Sequence, residues 1–169
     1  MNEKLKIIAE IANAHQGSSE NAFNLAKAFA NAGADAIKFQ IYFADELLVK
    51  SHTRYNHFLK QSFSVGEWKK IFKSQKNRKI YCDIFGLKAL KLAINNNVHG
   101  VKIHSSDLEN NELIRKIPKN MKVLLSCGGS SLFDISKAIS LLNEKGIRPI
   151  LMHGFQAYPT NIKDINLNR

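Results

Sequence analysis

The sequence has little of what would place it outside the ordinary globular class. Cysteine occurs twice in 169 residues, at Cys82 and Cys127. That is too few for a disulfide framework, and without CxxC spacing there is no zinc motif. No apolar run approaches the ~18–20 residues of a membrane span. The opening MNEKLKIIAEIA has a short apolar run, but polar Asn13-Ala14-His15-Gln16 follows where a signal peptide would continue its core toward a small-residue cleavage site. The GxGxxG dinucleotide fingerprint is missing, and so are HxxxH and HxH spacings. With three prolines, nine glycines, 44% hydrophobic and 23% charged residues, the chain reads as a folded cytoplasmic protein with no membrane partner. Its length fits one domain, residues 1–169, with a real core.

Acidic residues are also scarce: 14 against 25 Lys+Arg, a net charge of +11. Such a balance is compatible with nucleic acid, an anionic membrane surface or acidic small molecules. The lysines are scattered, however, and the densest stretch, residues 69–79, falls on an expected helix and the loop after it. No RNA-recognition or helix-turn-helix signature lies beside it. That stretch reads as a solvated face, and no nucleic-acid partner is expected.

What is present is alternation. Short β-branched runs at residues 5–11, 36–40, 79–84, 100–104, 122–126 and 149–153 alternate with helical patterns at 20–32, 65–76, 87–96, 110–117 and 130–145. Ser18 or Ser19 caps the first helix, Gly33 stops it, and Ser64-x-x-Glu67 is a capping box. Residues 41–63 form a longer polar-aromatic stretch. Strict alternation leaves an open doubly wound sheet or a (β/α)8 barrel. The missing glycine fingerprint disfavours the first. Polar residues gather at the C-terminal ends of the strands, where barrel enzymes hold their chemistry: Glu10 and His15, Lys38 and Gln40, Asp83, Lys102 and Ser105, Ser126, His153 and Gln156. The expected fold is an α/β (β/α)8 TIM barrel, incomplete at six βα units and cut short on its C-terminal side.

Lys38 and Lys102 each interrupt an apolar strand. A lysine there is costly unless its ammonium reaches a partner or a ligand, and two at one end can hold a phosphate or carboxylate. The bland alternative is snorkelling to the rim. Ser105-Ser106-Asp107 follows Lys102, and Ser126-Cys127-Gly128-Gly129-Ser130 opens a helix with hydroxyls, glycines and backbone amides suited to phosphate. Ser130 or Ser131 acting only as an N-cap explains the same letters. Glu10 and Asp107 are candidate acids; for Glu10 the alternative is a salt bridge to a neighbouring-strand lysine. The two cysteines read as buried small hydrophobes.

Five strings then occur in order: Glu10-Ile11-Ala12-Asn13-Ala14-His15-Gln16-Gly17-Ser18, Ala32-Gly33-Ala34-Asp35-Ala36-Ile37-Lys38-Phe39-Gln40, Lys102-Ile103-His104-Ser105-Ser106-Asp107-Leu108, Leu125-Ser126-Cys127-Gly128-Gly129 and His153-Gly154-Phe155-Gln156-Ala157-Tyr158-Pro159-Thr160. The set resembles the sialic acid (N-acetylneuraminate) synthase family across residues 5–167. That resemblance implies a (β/α)8 barrel that condenses phosphoenolpyruvate with an N-acetylated sugar such as N-acetylmannosamine, releasing phosphate, with a divalent metal (Mn2+ or Mg2+) activating the sugar aldehyde. It implies that Lys38 and Lys102 hold phosphoenolpyruvate, that Ser105 and the turn from Ser126 to Ser130 form the phosphate pocket, and that Asp107 lies near the reacting centre. His153 matches one of two metal-binding histidines, and Gln16 sits where the sugar is contacted. His15, Gln40, Gln156 and Tyr158 complete the candidate substrate-binding set.

The chain departs from the family pattern. Ala12 replaces a glycine; Cys82-Asp83-Ile84-Phe85-Gly86 stands for Ser-Thr-Pro-Phe-Asp; Ser126-Cys127-Gly128-Gly129 for Ser-Thr-Gly-Met; and His153-Gly154-Phe155-Gln156 for His-Cys-Thr-Ser. The acceptor sugar therefore stays open. The second metal histidine is expected on a seventh strand, and a C-terminal antifreeze-like domain beyond it; neither falls within residues 1–169. The full-length form is expected to be a homodimer. Two other readings remain: a barrel aldolase or lyase using Lys38 or Lys102 as a Schiff-base amine, and a non-catalytic module that binds anionic sugars.

Overall fold

A computed structural model describes residues 5–166, so the expectations that reach Lys4 or Leu167 lie in part outside it. Two compact units divide the chain, Met1–His99 and Gly100–Arg169. The first holds β1 (Ile8–Glu10), α1 (Ser19–Asn31), β2 (Ala36–Ile41), α2 (Ala44–Leu47), α3 (Tyr55–Gln61), α4 (Val65–Ser74), β3 (Ile80–Ile84) and α5 (Leu87–Asn95). The second holds β4 (Gly100–Ile103), α6 (Asn111–Lys116), β5 (Lys122–Ser126), α7 (Leu132–Asn143) and β6 (Ile150–Met152), with 3-10 turns at Ser105–Asp107 and Ile162–Asp164. β1 pairs with β2 and β2 with β3, and β4 pairs with β5 and β5 with β6, always in parallel. Within each unit strand order follows chain order, without the reversal of a doubly wound sheet. Six strands alternating with helices make an incomplete (β/α) barrel.

Register decides which side chains meet. Ile37 lies opposite Ile80, Phe39 opposite Cys82 and Ile41 opposite Ile84, whereas Lys38 lies opposite both Glu10 and Tyr81, and Gln40 opposite Asp83. Side chains alternate across a strand, so the first set shares one face and the second set the other. The apolar face meets α4: the Phe39 ring is edge-on to Trp68 at 5.8 Å and to Phe72 at 6.0 Å, and Trp68 also touches Phe63 at 5.0 Å. In the second unit Val101, Ile103, Val123 and Leu125 share one face, and Lys102, Leu124 and Ser126 the other.

The expected caps are present. Ser18 accepts from the Asn21 amide, and Ser64 and Glu67 form the reciprocal capping box. Ser131, not Ser130, caps α7 by accepting from the Asp134 amide. Lys145 donates to the Arg115 carbonyl at 2.5 Å and to that of Ile117, which satisfies the C-terminal end of α6.

Three expectations need correction. The first strand is three residues rather than seven. Asp35 Oδ2 takes the Ile7 amide at 2.9 Å ahead of the ladder, and Ala12 turns left-handed (φ 46°) after it. The last strand is also three residues, Ile150–Met152. The stretch 41–63 carries two short helices, α2 and α3. Neither has a side-chain N-cap bond, so the sequence signal for them is weak.

Trp68 is 2% exposed within its aromatic cluster. We expect Trp68→Ala to destabilise the protein by about 3–5 kcal/mol, measured as the shift in urea midpoint at unchanged m-value. A loss under 1 kcal/mol would show that the cluster is not part of the core.

Candidate active site

The first unit gathers charge at the C-terminal ends of its strands. Lys38 is 6% exposed on the polar face of β2. Its Nζ pairs with Glu10 Oε2 on β1, and Asp83 Oδ2 on β3 lies 3.8 Å away. Glu10 is fixed in turn, its Oε1 accepting from the Ala12 amide at 3.1 Å. The alternative reading of Glu10 as a strand-to-strand ion pair is therefore what the structure shows. With two carboxylates beside it, Lys38 offers an anion less attraction than a lone ammonium would. Asp83, 1% exposed, stood among the polar residues expected at the strand ends but had no role assigned; its signal was an acid inside the apolar run Ile80-Tyr81-Cys82-Asp83-Ile84.

His15 is 1% exposed. Its Nδ1 accepts from the Gly17 amide at 3.1 Å, and its ring lies 4.4 Å from that of Phe63. The structure thus places His15 as a clasp of the loop after β1, away from solvent. Burial lowers its pKa below the usual 6.5. Tyr42, also buried, donates to Asn13 Oδ1 at 3.0 Å in the same region, and burial pushes its phenol up to about 12. Gln16 is exposed with φ 51°, and Gln40 is half-buried beside Asp83 in register.

The second unit gathers neutral donors and acceptors. Lys102 is 9% exposed on the polar face of β4. Beyond that strand, Ser105 Oγ accepts from Gln156 Nε2 at 2.7 Å, and the same nitrogen donates to the Gly128 carbonyl at 3.0 Å. One amide thus links the loops that follow β4, β5 and β6. Ser126 ends β5 half-buried, and Ser130 is half-buried in the next turn. Cys127 is only partly covered, unlike Cys82; its Sγ donates to the Leu125 carbonyl at 3.4 Å. Asp107 accepts from Asn110 Nδ2 at 3.2 Å, a turn-stabilising bond. Tyr158 is fully exposed.

His153 is exposed, and its Nε2 donates to the Ile165 carbonyl. Among the described residues no group of three His, Cys, Asp or Glu side chains could hold a metal ion. These residues do not by themselves fit a tight divalent site, which draws on several converging donors. Among them also, no helix is long and apolar enough to cross a membrane.

A cavity of about 480 Å³ in the first unit is lined by Lys69, Lys73, Lys76, Arg78 and Lys79, with Asn95 and its neighbours at the end of α5. It lies at the C-terminal ends of α4 and α5. The partial negative charge of helix C-termini accounts for its lysines, in keeping with a solvated basic face.

The family model for the NeuB family matches residues 25–169. The chain belongs to the NeuB family. An uncharacterized protein of Methanocaldococcus jannaschii is 34% identical, over 96% of this chain and 49% of its own length. The pseudaminic acid synthase of Campylobacter jejuni is 29% identical, over 98% of this chain and 53% of its own. The crystal structure of N-acetylneuraminic acid (sialic acid) synthetase from Leptospira borgpetersenii, in complex with citrate, superposes with a TM-score of 0.90 at 29% identity, over 98% of this chain and 59% of that one. The chain spans about half the length of the curated relatives it matches.

Lys38→Met should cost about 3–5 kcal/mol in a denaturant titration, because it strips the buried cation from beside Asp83. Adding Asp83→Asn should recover part of that loss; equal stability of Lys38→Met and wild type would show that the cluster carries no net structural weight. His15 sets a pH dependence. Its folded pKa lies below the unfolded value, so the unfolded chain takes up the proton first and stability falls as pH drops below about 6.5. His15→Gln should flatten the fall in urea midpoint between pH 7 and pH 5. An unchanged slope would assign that fall to other groups.

Proposed function

We propose that this chain carries the phosphoenolpyruvate side of a NeuB-type synthase, which joins phosphoenolpyruvate to an N-acetylated sugar in nonulosonic acid synthesis. The observation that carries this reading is the Ser105–Gln156–Gly128 link across three strand-end loops, in the unit that also holds Lys102. The names of the relatives, a pseudaminic acid synthase and a sialic acid synthetase bound to the polycarboxylate citrate, support the same substrate class.

The chemistry asks for what these residues can supply. The methylene carbon of phosphoenolpyruvate attacks the sugar aldehyde and forms the carbon–carbon bond. Water then adds at the enol carbon, and that carbon's bond to the phosphate oxygen breaks. Phosphate and carboxylate must be held throughout by fixed donors and positive charge. Lys102, the Ser105 hydroxyl and the turn from Ser126 to Ser130 take that role here. Lys38, shared between Glu10 and Asp83, presents both charge signs and suits a polar, hydroxylated acceptor. A divalent ion, when bound, would polarise the aldehyde, and His153 is the one ligand this reading assigns to it.

The test is 31P NMR titration of phosphoenolpyruvate into the chain and into Lys102→Met and Ser105→Ala. Wild type should bind, Lys102→Met should bind at least tenfold more weakly, and Ser105→Ala should also bind more weakly. Binding unchanged by both variants would overturn the assignment. So would borohydride trapping of pyruvate on Lys38 or Lys102, the signature of a Schiff-base lyase.

A further inference from the structure

The Gln156 side chain is held more closely than a loop residue needs to be. Its Nε2 carries two hydrogens, and both are spent, one on Ser105 Oγ and one on the Gly128 carbonyl. The two residues beneath it are glycines, and each is required. A Cβ on Gly128 would come within 2.5 Å of the Gly154 carbonyl oxygen. A Cβ on Gly129, where φ is +74°, would come within 2.9 Å of Gln156 Cγ. The loop after β5 is therefore bare where the loop after β6 and the Gln156 stem cross it.

This packing has a chemical consequence for Ser105. A serine hydroxyl has one hydrogen to give and lone pairs to receive. Ser105 Oγ receives from a side-chain amide that has no hydrogen left over. Its own hydrogen therefore does not go to Gln156 and can be given to another acceptor. A carboxylate in place of Gln156 would do the reverse and draw that hydrogen to itself.

We propose that Gln156 is a positioning residue that fixes the Ser105 hydroxyl as a donor and so tunes this three-loop cluster for a phosphate monoester. It acts through Ser105 and through the spacing of the β5 loop, without having to touch the anion. The inference rests on the phosphoenolpyruvate reading and deepens it.

A double-mutant cycle separates positioning from mere support, because residues that act through one another give non-additive losses. Wild type, Gln156→Met, Ser105→Ala and the double variant are titrated with inorganic phosphate and, separately, with phosphoenolpyruvate. Each single variant should bind phosphate about tenfold more weakly, in the range of a hydrogen bond to a charged group, and the double variant no more than about twofold weaker than either. Losses that multiply to about a hundredfold, or a Gln156→Met variant that binds like wild type, would overturn the proposal. Gln156→Glu supplies a second readout: near neutral pH it should lose at least as much affinity as Gln156→Met. Should Gln156→Met fail to fold, Gln156→Asn, one methylene shorter, withdraws the same two donors and should show the same coupling to Ser105→Ala. Phosphate binding without phosphoenolpyruvate binding would remove the synthase reading and leave the cycle readable. Failure to bind either anion would overturn both.

Discussion

Everything here depends on the alternation of side chains along parallel strands that are held in register. Each strand is apolar on one face, and the register lines those faces up as Ile37 with Ile80, Phe39 with Cys82 and Val101 with Val123. The same alternation forces the intervening residues onto the other face together. Once Phe39 is committed to Trp68 and Phe72, Lys38 and Gln40 have no choice of side. A one-residue slip would bury the lysine against aromatic rings and turn Phe39 away from them, so the core and the polar cluster specify one another.

The two units solve their polar faces differently. The first uses formal charge: Lys38 is answered by Glu10 and by buried Asp83. Such a cluster is sensitive to the removal of any member, because a charge left behind in a dry setting cannot relax. The second uses a neutral amide to join Ser105 and Gly128. Neutral hydrogen bonds cost less to desolvate than charges do.

Much of this was legible in the letters. The β-branched runs located all six strands, and Ser18, Gly33 and Ser64-x-x-Glu67 marked helix ends because each satisfies specific orphan amides or a left-handed turn. Helices α2 and α3 were not legible, lacking capping side chains. The ends of β1 and β6 were not either, since strand length is set by where the neighbouring ladder stops. Among site residues, the lysines announced themselves by their cost in an apolar strand. Their partners were legible only in part: a Glu10 salt bridge to a neighbouring-strand lysine was one of two readings, whereas Asp83 meets Lys38 only through the pairing of β2 with β3. His15 looked like a site residue because it follows β1, yet tertiary packing under Phe63 closes it off from solvent.

The crossing of the β5 and β6 loops also bears on how this sequence can drift. Gly129 and Gln156 share a single volume. A side chain at residue 129 would need the one at 156 to shrink and would still sit at φ +74°, so the two cannot change independently. An exchange of bulk between the two positions has no comfortable single-step intermediate. One order of change crowds the loop and the other leaves a hole in it, so the pair holds its present arrangement locally.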